Sequence, residues 1–413
     1  MKPLKFIDLF AGAGGLSEGF IRQGYTPIAH VEMNTHACDT LKTRMVYHQL
    51  ATAKDKLGIY TQYLKGQISR DEFWSHGTAD VLDSVINIEI SDKTIDSIFD
   101  RIDKLKQEDS VDIVIGGPPC QAYSVAGRAR DPQSMETDPR NFLYKYYLQF
   151  LQRYKPKMFV FENVPGILSA KNGEHFENIK KGIEEAGYNL DYRILDASKF
   201  GVIQNRKRVI LIGWQKELKL SYPEFEQVEN NNEILRDLFY DLPWLAPGTG
   251  EQTTLYTKPC NTYLNESKIR SNDEFVTQHI VRPHNTRDIE IYRRAITMWL
   301  NERKRLNYAT LPDELKTHSN QKSFLNRFQV VDNIGCSHTV VAHIAMDGHY
   351  YIYPDLKQIR SISIREAARI QSFPDNYFFE GGRTNAFKQI GNAVPVLMAD
   401  KIANKLIEQL KRL

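Results

Sequence analysis

A glycine turn between two apolar runs near the start of the chain limits the fold more than any other feature. Residues 5–19, KFIDLFAGAGGLSEG, read as a strand over Phe6 to Leu9, a tight turn on Gly12, Gly14 and Gly15, and a helix over Leu16 to Gln23. Thr26 to Val31 is a second strand candidate, closed by Glu32. Strand, glycine turn, helix, strand, acid is the nucleotide-binding half of a doubly wound α/β fold. A carboxylate ending the second strand can hold both hydroxyls of a ribose. The turn is not G-x-G-x-x-G and no lysine follows in P-loop spacing, so a nucleoside cofactor without phosphates fits as well.

The pattern recurs. Asp83 to Ile90 is a third strand candidate, and residues 92–106 form an amphipathic helix with Ile95, Ile98, Phe99, Ile102 and Leu105 on one face. Asp112 to Ile115 is a buried strand that stops at Gly116-Gly117. Pro118 and Pro119 then hold the chain extended and present Cys120 just past the carboxyl end of that strand. Residues 142–153 are an amphipathic helix, and 157–164, KMFVFENV, are a strand that places Glu162 on the same edge as Cys120. A helix over 174–186 and strands over Tyr192 to Ala197 and Val209 to Ile212 complete a mostly parallel α/β sheet. Just before the last strand stand Gln204, Arg206 and Arg208; the two arginines share a face if the strand reaches back to them. Residues 125–141 read as a surface loop or as a lid carrying Arg128 and Arg130.

After Trp214 the βαβ rhythm stops. Residues 215–335 are rich in Asn, Lys and Arg, with a plausible helix at 288–305. His279, Arg282, His284 and Arg287 make a basic segment that suits groove contacts or any polar surface. Ser363 caps a helix over Ile364 to Gln371, a turn is expected at Gly391-Asn392, and a long amphipathic helix from about Val394 can return to the first domain. A net charge of +3 permits a nucleic-acid partner without demanding one. Four scattered cysteines give neither a disulfide framework nor zinc spacing, and no histidine spacing suggests a metal. The chain has no apolar run of about 18 residues and no signal peptide, so a cytoplasmic, nucleoid-associated location is expected.

The sheet edge thus gathers a glycine turn, Glu32, Cys120, Glu162 and Arg208. A cysteine hydrolase needs a histidine base, and none stands on a strand end. A cysteine beside a carboxyl group and an arginine suits attack on an electron-poor ring instead. If the ring is cytosine, the thiolate adds at position 6, protonated Glu162 bonds the nitrogen at position 3, and position 5 becomes able to accept a methyl group. A base in a duplex reaches such a pocket only by flipping out.

At these residues the sequence resembles the DNA (cytosine-5) methyltransferases of bacterial restriction-modification type. DLFAGAGGLSEGF at 8–20, GGPPCQAYS at 116–124, FENV at 161–164, QNRKR at 204–208, SHTV at 337–340 and GNAVP at 391–395 stand in the family's order. The resemblance implies S-adenosylmethionine as cofactor and no metal. It implies a cofactor site of Phe10, Gly12, Gly14, Glu32, Met33, Glu89 (with Asp92 the alternative), Pro118, Leu143, Asn392 and Val394. Cys120 is the implied nucleophile, Glu162 the catalytic acid, Arg208 the partner of the cytosine carbonyl and Arg206 the support of the closed loop after Cys120. Ser124, Arg128, Gln204 and Thr339 are the implied DNA contacts. The implied domains are a catalytic unit, 1–214 completed by 336–413, and a target-recognition domain, 215–335. Double-stranded DNA is the implied substrate, met by a monomer, with a restriction endonuclease as functional partner. A transfer-RNA methyltransferase of the same fold, a silent DNA-binding relative and a dinucleotide oxidoreductase are the alternatives.

Overall fold

The structure, a computed structural model, describes residues 2–52, 57–118, 142–271, 274–317, 320 and 322–413. Its main sheet has seven strands: β1 (Lys5–Leu9), β2 (Thr26–Glu32), β3 (Val85–Asn87), β4 (Ile113–Gly116), β5 (Met158–Asn163), β6 (Tyr188–Asp196) and β7 (Lys207–Gln215), in the order β3-β2-β1-β4-β5-β7-β6. The first five are parallel; β7 runs antiparallel to both β5 and β6. The expected doubly wound α/β fold is present. Strand order reverses between β1 and β4, so the crevice for a ligand opens at their carboxyl ends.

Alternation along the strands loads both faces. Phe6, Ile113, Ile115, Met158 and Val160 point to one side, where Phe20, Met398, Ile402 and Leu406 cover them. Ile7, Val114, Phe159 and Phe161 point to the other, against Ile98, Phe99, Ile102, Phe150 and Ile183. Burial on both faces explains why these strands read as continuous apolar runs. The terminal helix Val396–Leu410 packs beside the first helix, Gly15–Arg22, and supplies half of the first cover.

Three local expectations shift. The third strand is only three residues long, because Ile88 leaves the ladder while its N–H still reaches the Glu32 carbonyl. Strand β7 begins at Lys207, so Arg206 lies outside it and does not share a face with Arg208. Gly391 and Asn392 end a helix, Gly382–Asn392, rather than make a turn; the break falls at Ala393–Pro395, where the proline lacks the N–H that a continuing helix needs. Ser363 caps Ile364–Ile370 through a full capping box with Glu366.

The region 215–335 is not one compact insert. Ile234, Leu238, Phe239, Leu264 and Ile269 join a core with Val331, Val340, Ile364 and Phe387. A second small core gathers Ile291, Tyr292 and Ile296 of the helix Thr286–Glu302 with Leu306, Tyr308, Phe328 and Val330. A two-stranded sheet of β8 (Gly250–Leu255) and β9 (Phe275–Ile280) lies between them in sequence. Packing therefore crosses the boundaries expected at 214 and 336. Charge crosses too: fully buried Arg369 pairs with Asp241 at 2.6 Å and with Asp375 at 2.6 Å.

Candidate active site

The glycine turn after β1 is held in a conformation that side chains resist. Phe10 has φ 57°, a rare left-handed value for a non-glycine residue, and Gly12 and Gly14 follow at 55° and 76°. Glu32 fixes the turn: one carboxylate oxygen accepts the Gly12 N–H at 2.9 Å and the other the Asn34 N–H at 2.8 Å. From behind, a Cβ on Gly14 would lie 2.7 Å from Leu41, and one on Gly15 only 2.4 Å from the Val394 carbonyl. In front, a Cβ on Gly12 would meet nothing within 4 Å. The turn is closed behind and open towards the crevice.

Around that opening lie the other expected cofactor residues. Met33 is 61% exposed beside Glu32. Glu89 is exposed just past β3, whereas Asp92 accepts a hydrogen bond from the Tyr146 hydroxyl at 2.8 Å. That contact engages Asp92 and leaves Glu89 the more open of the two. Leu143 is half-buried at the start of the helix Leu143–Tyr154, Asn392 is exposed, and Val394 is buried over the turn. Beneath the turn sits a group that the sequence reading passed over. Asp8 is 1% exposed with Oδ2 unpartnered among the described residues. Burial, then the nearby Glu32 charge, holds its carboxyl well above the ordinary range. An acid inside the apolar run FIDLF was the available signal.

The second half of the site lies at the ends of β4, β5 and β7. Glu162 and Arg208 meet across the antiparallel β5–β7 pair, with Nε to Oε1 at 2.7 Å. A Cβ on Gly117 would lie 2.7 Å from Glu162 Oε2, so only glycine lets the two strand ends approach so closely. Asn163, also missed, is buried; its Nδ2 donates to the Pro118 carbonyl at 3.2 Å and its Oδ1 accepts from the Val164 N–H. It ties the end of β5 to the residue two before Cys120. Cys120, Ser124, Arg128 and Arg130 lie outside the described residues.

The QNRKR residues separate by role. Arg208 faces Glu162. Arg206 is 1% exposed and donates to the carbonyls of Val340 and, at 3.3 Å, Gly391, so it joins three chain segments behind the site. Gln204 is fully buried; it donates to the Ile370 carbonyl and to Gln371 Oε1 and accepts from the Val340 N–H. Its amide is thus engaged within the protein, which corrects the expectation of a DNA contact. Thr339 is half-exposed, its hydroxyl on the Asn205 carbonyl at 2.7 Å. The basic segment is engaged within the protein. His279 lies between Ser363 and the Pro243 carbonyl, Arg282 donates to the Ile344 carbonyl, and His284 meets Ser361. Those three side chains brace the fold instead of facing a groove.

The family described as C-5 cytosine-specific DNA methylase matches residues 4–59 and 76–408. The chain belongs to this family. It is 42% identical to the Type II methyltransferase M.Bpa9945I of Bacillus paralicheniformis, covering 96% of this chain and 97% of that one. It is 29% identical to the Type II methyltransferase M.AgeI of Thalassovita gelatinovora over 98% and 99% of the two chains. Among solved structures, the S. pombe Dnmt2 methyltransferase superposes with a TM-score of 0.52 at 16% identity over 99% of each chain, a likeness of fold. The chain is a cytosine-5 DNA methyltransferase and its cofactor is S-adenosylmethionine. The residues present fit that cofactor: an open glycine turn without pyrophosphate spacing, a carboxylate with lone pairs left for ribose hydroxyls, and an exposed apolar Met33 beside it. Among the described residues no cluster of metal-binding side chains occurs.

Proposed function

We propose that this enzyme extrudes a cytosine from duplex DNA and methylates carbon 5 through transient covalent attack by Cys120. The Glu162–Arg208 pair carries the reading, because it sits at a strand edge beside Gly117, three residues before Cys120 in sequence. An entering cytosine presents a ring nitrogen and a carbonyl oxygen side by side. Glu162, protonated on binding, donates to the nitrogen at position 3, and Arg208 donates to the carbonyl oxygen. Both withdraw electrons from the ring. The Cys120 thiolate then forms a bond to carbon 6, and the displaced electron pair moves to carbon 5. When bound, S-adenosylmethionine supplies an electrophilic methyl group on a sulfonium. Loss of the carbon 5 proton and departure of Cys120 restore the aromatic ring. Arg206 braces the chain behind the site through the Val340 and Gly391 carbonyls, and Asn163 holds the approach to Cys120. Flipping costs a few kcal/mol of stacking and pairing, which the pocket contacts must offset.

The Type II names of the relatives support a role in protecting host DNA from a partner restriction endonuclease. No helix among the described residues is long and apolar enough to cross a membrane. The test is expression in a methylation-free host, with methylcytosine mapped at base resolution. A short motif methylated near completion is the expected result. An unmethylated genome from folded, cofactor-binding protein overturns the reading.

A further inference from the structure

A cavity of about 340 Å3 opens beside the QNRKR segment, between Asn205 and Thr339 on one wall and Trp299 and Arg305 on the other. The first wall is rigid. Asn205 donates its N–H to the Ser337 carbonyl, its carbonyl takes the Thr339 hydroxyl, and the side-chain amide is left exposed at the cavity. Three cations stand in a row at 303–305, and of them Arg305 lines the cavity. Arg303 pairs with Asp332 at 3.3 Å and Lys304 with Glu302 at 3.1 Å. No ion pair or hydrogen bond engages Arg305 among the described residues, although Asp332 also lines the cavity. The Asp332 oxygen that meets Arg303 is further occupied by the Ile334 N–H. His338 adds no charge, since burial pushes its imidazole down to about 4. Arg305, exposed at the cavity, makes no ion pair among the described residues, and the one carboxylate that lines it, Asp332, pairs with Arg303.

Asn205 is three residues from Arg208, no more than about 11 Å of extended chain. We infer that this cavity is an anion subsite for one DNA backbone phosphate next to the target base, with Arg305 as its cation and the Asn205 amide as its second donor. The inference rests on duplex DNA being the substrate.

The test measures binding of a duplex bearing the mapped motif from low to moderate salt. Each neutralised phosphate contributes about 0.9 to the slope of log K against log salt. Arg305→Ala should make the slope shallower by about that amount and weaken binding about tenfold at low salt. Arg305→Lys should restore the slope. Lys304→Ala, which removes a neighbouring cation already paired, should leave it unchanged. Asn205→Ala should weaken binding at an unaltered slope, since it removes a neutral donor. A steep wild-type slope that Arg305→Ala does not change overturns the subsite while leaving duplex DNA as substrate. A flat wild-type slope removes the substrate reading and the subsite with it.

Discussion

Polar groups at the carboxyl edge of the sheet and those of the 279–287 segment meet opposite surroundings. Glu162 and Arg208 keep 17% and 11% of their side-chain surface, pair with each other and look into the crevice. His279 is fully buried, and Arg282 nearly so, with each hydrogen-bonded to groups far away in sequence. A strand end leaves a polar side chain few partners inside the sheet, so a charge there waits for a ligand. The 279–287 segment runs between 243, 344, 361 and 363, where carbonyls and hydroxyls already stand. Charge density in sequence is thus a poor guide to nucleic-acid contact unless the element that carries it ends at a surface.

The sharpest way to break this comparison is to remove chemistry from the strand edge without disturbing its shape. Glu162→Gln keeps volume and loses the acid; turnover should fall about 10²- to 10⁴-fold while duplex binding persists. Single-turnover methylation of the mapped motif measures it, and a rate near wild type would remove Glu162 from the mechanism. Cys120→Ser should abolish turnover by the same assay, because a hydroxyl is a far weaker nucleophile than a thiolate.

The opposite region should respond in stability. Asp241 holds Arg369 and Arg270, both at 2.6 Å, and is itself fully buried. Asp241→Ala removes a carboxylate shared by two guanidinium groups, leaving Arg369 with Asp375 alone, and should cost about 3 kcal/mol, read by denaturant unfolding. Folded protein within 1 kcal/mol of wild type by the same measurement, a bound set by the ~0–1 kcal/mol of exposed pairs, would mean that water reaches the pair. No sequence pattern pointed to this network. Asp241 and Arg369 are 128 residues apart, and each alone looks like an ordinary surface charge. The strand-end site was legible for the converse reason: FIDL, DIVIGG and FENV each carry their own periodicity and their own stop signal. Glu32, Glu162 and Arg208 could be put at strand ends from local chain alone, whereas the partners of Gln204 and Arg206, inside an equally recognisable motif, could not. Their partners, Val340, Ile370, Gln371 and Gly391, come from the far end of the chain.

Acid should also separate the two regions. Burial lowers His279 to about 4, so it stays neutral in the fold, whereas the unfolded chain protonates near 6.5. Between those values the unfolded state binds the extra proton, so stability is whole above pH 6.5 and declines as pH falls towards 4. The slope from one such group is at most about 1.4 kcal/mol per pH unit. His279→Asn, if folded, should flatten the decline measured by chemical denaturation between these pH values. An unchanged profile would show that other groups, such as His284 and His338, set the acid limit.

Asn163 offers the finest comparison because it stands at the strand edge yet behaves like the buried network. Its amide reaches across from β5 to the Pro118 carbonyl at 3.2 Å while its own oxygen takes the Val164 N–H at 2.9 Å. Asn163→Ala leaves a carbonyl and an N–H without their partner in a buried place, a loss of about 1–2 kcal/mol in stability. If the bond only braced the sheet, turnover by the remaining folded enzyme would be unaltered. If it aims the chain that leads to Cys120, turnover should fall about tenfold with S-adenosylmethionine affinity unchanged, since Asn163 touches nothing at the glycine turn. Asn163→Asp separates the two further. The carboxylate keeps an acceptor for Val164 but has no hydrogen for Pro118, so it should restore none of the lost turnover.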